Sequence, residues 1–167
     1  LTLAGSANET VTNLGANIDA IGLTASLNVT TKTNALTVRT GTGGTTINAG
    51  AMTGTLTLQG ASPATVTALG GNMNASGDTG TLTVTVTGAG NQSVTTGSGN
   101  ISIADSSAGT LAVNAVALGS GSTLTLTGAS PATVTNLKGT LNAAGYSGAL
   151  TVTATGTTAQ TVVTGSG

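Results

Sequence analysis

Apolar and polar residues alternate along this chain in short runs: LTL at 56–58, TVT at 65–67, LTVTV at 82–86, SVT at 93–95, ISI at 101–103 and LAV at 111–113. A period of two puts Leu, Ile or Val on one face and Thr or Ser on the other, which predicts half-buried β-strands. Turn signals separate the runs: GASP at 60–63 and 128–131, SGDTG at 76–80, GAGN at 88–91, and TGSG at 96–99 and 164–167. Pro63 and Pro131 fall in turns, where a missing N–H harms no ladder. The longest glycine-free stretch, residues 23–40, carries alternating LNV and LTV triplets and no stripe at helical spacing. The pattern therefore predicts an all-β chain.

The runs also repeat. LTLTGASPATVTNL at 124–137 copies LTLQGASPATVTAL at 56–69 almost letter for letter. Leu124, Leu137, Leu150 and Val163 are each 13 apart, as are Leu56, Leu69 and Leu82, and Leu1, Leu14 and Leu27. Blocks 1–55, 56–123 and 124–167 share this ruler, and the second exceeds the first by one ruler length, the segment LAVNAVALGSGST at 111–123. A chain that accepts a whole unit while keeping its register behaves as a stack of layers, so we expect one continuous repeat array over 1–167, a parallel β-solenoid. Thirteen residues at about 3.3 Å each give about 43 Å of path per coil, hence about 12 or 13 layers and a rod of roughly 60 Å. Leu124, Leu137 and Leu150 would then form one interior column. The alternatives are a larger coil of two ruler lengths and a tandem antiparallel β-sandwich. Both ends cut through a block, so the array is expected to be open at both ends, meeting neighbouring repeats or other copies there.

Composition narrows the core and the partners. There is no Phe or Trp, a single Tyr146, 27 Gly, and only 35 Leu, Ile and Val among 167 residues, so the core must be thin. Disorder needs strong charge as well as low hydrophobicity, and here the net charge is −1 with 4 % charged residues. With no cysteine, disulfides and thiolate metal sites are excluded. No apolar run approaches the length of a spanning helix, and no basic segment leads into an apolar one as in a signal peptide. Lys32, Arg39 and Lys138 are too few for a phosphate-binding stripe, which argues against nucleic acid.

Little chemistry is visible. The acids Glu9, Asp19, Asp78 and Asp105 occupy different positions in different blocks, and there is no His. A carboxylate pair would need Asp19 and Asp78, yet Asp19 aligns with Asn74 and Asn142, which reads as a turn or ladder position. We therefore assign no catalytic, cofactor-binding or metal residue. The glycine turns GTGGTT at 41–46 and GDTG at 77–80 offer at most one carboxylate for calcium, the nonapeptide calcium motif does not occur, and a phosphate loop would need a Lys and a following helix. Threonine rows could order water or ice, but on the ruler the file runs Thr57, Gly70, Thr83 and Thr125, Lys138, Thr151, and is interrupted. Sequons at Asn8, Asn28, Asn91 and Asn100 are expected by chance in a chain so rich in Asn and Thr.

The succession LTLTGASPATVTNLKGTLNAAGYSGALTVTATG, with TTGSGNISI and TLAVNAVAL, resembles the β-strand-repeat regions of very large secreted bacterial proteins, including RTX-type adhesins and surface-layer proteins. The resemblance covers essentially the whole chain. It implies an extracellular or cell-surface location and a role in adhesion or a protein coat, while the missing nonapeptides leave calcium dependence open. The expectation is a non-catalytic structural segment without a cofactor: an adhesin stalk, surface layer or self-assembling filament. The alternative is a module that binds cell-surface glycans or ice through a flat Thr/Asn face.

Overall fold

The computed structural model describes residues 1–167 and contains strands and turns only. One parallel sheet holds, in spatial order, β1 (Thr2–Gly5), β3 (Ile18–Leu23), β5 (Leu36–Arg39), β7 (Thr55–Gly60), β9 (Asn72–Asp78), β11 (Gln92–Thr95), β13 (Leu111–Asn114), β15 (Ala132–Leu137) and β17 (Leu150–Ala154). The second holds β2 (Glu9–Leu14), β4 (Leu27–Thr31), β6 (Thr45–Asn48), β8 (Ala64–Leu69), β10 (Leu82–Val86), β12 (Ile101–Asp105), β14 (Thr123–Gly128), β16 (Thr140–Asn142) and β18 (Val162–Val163). Consecutive strands alternate between sheets, so one odd and one even strand make a rung. The chain is a two-sided parallel β-solenoid. Nine rungs at about 4.8 Å stack to roughly 40 Å.

The six runs read from the sequence are all strands. The turn assigned to 76–80 is shorter than expected, because Ser76–Asp78 completes β9.

The coil length departs from the ruler. Ladder partners are Leu124 and Leu141, Leu82 and Ile101, and Ile101 and Leu124, intervals that are unequal and all longer than the ruler. The reason is geometric: two strands of five or six residues, plus two corners that each cross about 10 Å between sheets, need about 17 residues. Leu124, Leu137 and Leu150 consequently do not share a column. Leu124 stacks between Ile101 and Leu141 in the even sheet, whereas Leu137 and Leu150 lie in the odd sheet against Ala154 and Ala132.

The true columns are longer and purely aliphatic over most of their length. In the odd sheet, Leu36, Leu56, Met73, Val94, Val113, Val134 and Val152 follow one another. In the even sheet, Val11, Val29, Ile47, Val66, Val84, Ile103 and Leu126 do the same. Both columns belong to one cluster of 36 buried residues, with Val11 and Val152 at their ends partly buried and packed against it. At about 1.5–3 kcal/mol for each buried Val, Leu or Ile, the two files hold the sheets together without any aromatic ring.

The duplicated segment shows how the stack tolerates insertion. LTLQGASPATVTAL spans β7 in the odd sheet and β8 in the even sheet, while its copy LTLTGASPATVTNL spans β14 in the even sheet and β15 in the odd one. The same letters therefore face opposite sides of the molecule. Block 1–55 contains six strands and block 56–123 seven, the extra one being β13 in the 111–123 segment. An insertion of half a rung exchanges the sheets of everything after it, and each strand still meets an aliphatic partner. Both copies end their first strand on a glycine with positive φ, Gly60 (+150°) and Gly128 (+140°). A Cβ there would collide with the Thr40 hydroxyl or the Asp105 carbonyl of the rung beneath.

A second repeated device is a bulge near the end of TVTNL or TVTAL. Asn13, Ala68 and Asn136 occupy the left-handed region at φ 56°, 53° and 56°. Asn tolerates this conformation and Ala does not. Asn136 also donates from Nδ2 to Asn114 Oδ1 at 3.1 Å, and Asn48 lies beneath Ala68 in the same register. Ala68→Asn should therefore stabilise the chain by about 1 kcal/mol, read as a higher Tm in thermal unfolding. Deleting residues 111–123 should leave a single cooperative melt with Tm within about 5 °C of the parent, because it removes one strand and returns the downstream copy to the phase of the first. Loss of cooperative folding would contradict the exchange of sheets.

Candidate functional site

The side chains able to do chemistry are spent largely on the backbone. Asp19 accepts the Ile21 N–H at 3.2 Å, and Asn48, Asn74, Asn114 and Asn142 accept the N–H two residues on in the same way. Asp19 and Asn74 lie within β3 and β9 and Asn142 ends β16, so of the turn or ladder position expected from their alignment the structure shows the ladder one. Asp19 also meets Arg39 on the neighbouring rung at 2.8 Å, a pair exposed enough to contribute at most about 1 kcal/mol. A second group of asparagines sits at the strand entrances. Asn8, Asn17, Asn72, Asn91 and Asn100 each accept a backbone N–H from the following rung at 2.8–3.2 Å. Three of the four sequon asparagines are therefore occupied as rung-to-rung clamps, and only Asn28 stands free on the outer surface of the even sheet.

Asp19 and Asp78 are not brought together. Asp19, Arg39, Gln59 and Gly77 form an outward file, so Asp19 lies three rungs from the end of β9, while Asp78 is turned inward and fully buried. Glu9 stands elsewhere again, over Leu27 in the first rung of the even sheet. No group of three or more acidic or other metal-ligating side chains forms.

The two buried acids have different surroundings. Asp105 accepts the Ser107 N–H at 3.0 Å, and the single hydroxyl proton of Tyr146 is shared between the Ser130 carbonyl and Asp105, the latter at 3.3 Å. Tyr146 stands beside Gly128, the ladder partner of Asp105, and reaches past it. Burial, and then the Asp105 charge, push the tyrosine hydroxyl up to about 12. The one aromatic residue therefore ties rungs together, a role that composition alone did not reveal.

Asp78 has no such partner. It aligns with Tyr146 in the following copy and with Leu23 in the preceding block, all three being buried beside a positive-φ glycine: Gly5, Gly60 or Gly128. Neither of its carboxylate oxygens has a hydrogen-bond partner of ordinary geometry, and the buried Thr96 hydroxyl has none either. Burial raises its pKa from 3.8 to about 6, opposed only by the nearby Gly80 N–H. An acid whose folded pKa lies above its unfolded value disfavours folding once ionised, so stability should fall as pH rises from about 4 through 6. A shift of this size corresponds to about 3 kcal/mol lost by neutral pH.

The outer surface of the even sheet carries the most regular chemistry. Thr10, Asn28, Thr46, Thr65, Thr83, Ser102, Thr125 and Asn142 occupy successive rungs of one outward file. The interruption read from the ruler is thus corrected by the ladder: Thr57 belongs to the odd sheet, and Thr83 and Thr125 to the even one. Two residues along the strands, Thr30, Asn48 and Thr67, then Thr85, Ala104 and Thr127, extend a second file. No charged side chain occupies either file. Shallow depressions of about 420 Å³ and 170 Å³ lie along the first, beside Thr46 and Thr65 and beside Thr83 and Ser102. The odd sheet is less uniform, since it presents Asp19, Arg39, Gln59 and the exposed Ile21.

Comparison with protein-family models, with curated proteins and with solved structures finds no match to this chain.

Melting curves of the parent and of Asp78→Leu at pH 5 and pH 7.5 test the buried carboxylate. The parent should be more stable at pH 5. Asp78→Leu should lose that difference and exceed the parent at pH 7.5 by about 2 kcal/mol or more. The chain has no histidine, so no imidazole contributes to the difference.

Proposed function

We propose that this chain is a length-setting structural segment of a secreted or cell-surface bacterial protein, working as an adhesin stalk, surface layer or self-assembling filament. The observation that carries this reading is the half-rung insertion: one strand can be added and the ladders continue on both sides. Length is then set by strand count, as a spacer requires. The asparagine clamps serve the same purpose, since they join each rung to the next through side chains as well as backbone. Low charge lets neighbouring copies approach laterally. No catalytic residue or bound cofactor enters this mechanism.

The test is length. Chains carrying one, two or three added copies of residues 56–123 after Thr123 should form straight particles in electron microscopy and small-angle scattering. Each copy contributes seven strands and should extend the rod by about 17 Å. Particles that thicken or round up without lengthening would refute a spacer.

A further inference from the structure

We propose that the outer face of the even-numbered sheet binds crystalline water, so that the segment adsorbs to ice. The proposal rests on the register of that face and goes beyond the spacer reading, which can fail or hold independently.

Three features favour a lattice over a finite ligand. The file from Thr10 to Asn142 repeats once per rung, at a spacing imposed by the backbone ladder and independent of how many residues lie in the intervening corners. Its repeat of about 4.8 Å is close to the oxygen spacing along the basal axis of hexagonal ice. Thr65 and Thr67, Thr83 and Thr85, and Thr125 and Thr127 add a second direction of repetition, at about 6.6 Å along each strand. The first file is continuous from rung to rung, and the second adds order along the strand within β8, β10 and β14, interrupted at Ala104 and at the bulge beside Ala68.

The chemistry fits the same partner. Each threonine offers a hydroxyl that both donates and accepts, beside a methyl group, and its β-branched side chain is stiff at χ1, so the array is ordered before it meets a surface. Neither file carries a charge, hence no tightly held hydration shell must be stripped along them. A glycan is less well served because no aromatic ring is presented: Tyr146, the only one, is buried. Ice supplies a donor or acceptor at every position.

The experiment measures ice recrystallisation inhibition and uptake of fluorescently labelled chain into a growing ice hemisphere. It compares the parent, Thr65→Lys/Thr83→Lys on the even sheet, and Thr133→Lys on the odd sheet, all at exposed or half-exposed positions. Circular dichroism and melting confirm that each variant is folded. The parent and Thr133→Lys should inhibit recrystallisation and enter ice, and the double variant should need at least tenfold higher concentration for the same effect. A folded parent without either activity would overturn the proposal. So would activity unchanged in the double variant, or a glycan-array signal or sedimenting dimer that the double variant abolishes in the absence of ice activity.

Discussion

The parallel, in-register backbone ladder is the constraint on which the structure depends. Each interior strand exchanges backbone hydrogen bonds with both the rung before and the rung after, so inward positions recur above inward positions. A single aliphatic preference is thereby converted into a continuous column, such as that running from Leu36 to Val152. The core needs no large side chain because it is only two facing columns deep, and stability accumulates with rung number. Corners can vary, since the ladder rather than the corner length fixes what lies above what.

The same constraint accounts for the use of polar residues. Asparagine is placed where a backbone N–H would otherwise be unmatched, either two residues on in its own turn or at the entrance of the next rung. Threonine fills the outward half of each strand, where its stiffness suits the sheet and its hydroxyl replaces charge as the source of solubility. Asp78 departs from this economy: a carboxylate stands where the other blocks bury Leu23 or Tyr146, and burial pushes its pKa up to about 6. Tyr146 shows the opposite solution, its hydroxyl joined to Asp105 and Ser130.

Strand positions were legible in the sequence because alternation in runs such as LTVTV at 82–86 is a local property of a half-buried strand. The solenoid was legible because the blocks differ by one insertable segment, which read as a whole unit and is one strand, half a rung. The rung length was not. The distance from Leu124 to Leu137 counts from the start of one strand to the end of the next, across a corner and onto the other sheet, whereas stacking pairs Leu124 with Leu141. That error also concealed the threonine file, since outward neighbours such as Thr65 and Thr83 are recognised only in the correct register. Of the candidate chemistry, the role of Asp19 was readable from Asn74 and Asn142. The partnership of Asp105 with Tyr146, far apart in sequence, has no local signal.

Register is the claim that most needs a direct measurement, and the absence of cysteine makes the chain suitable for paired spin labels. Nitroxides on cysteines introduced at Ser102 and Thr125, distant in sequence and adjacent in the ladder, should show strong dipolar broadening in continuous-wave electron paramagnetic resonance. Labels at Thr125 and Lys138, separated by one ruler length, should show much weaker broadening. The reverse order, with Thr125 and Lys138 in closest contact, would contradict the two-strand rung and everything built on it.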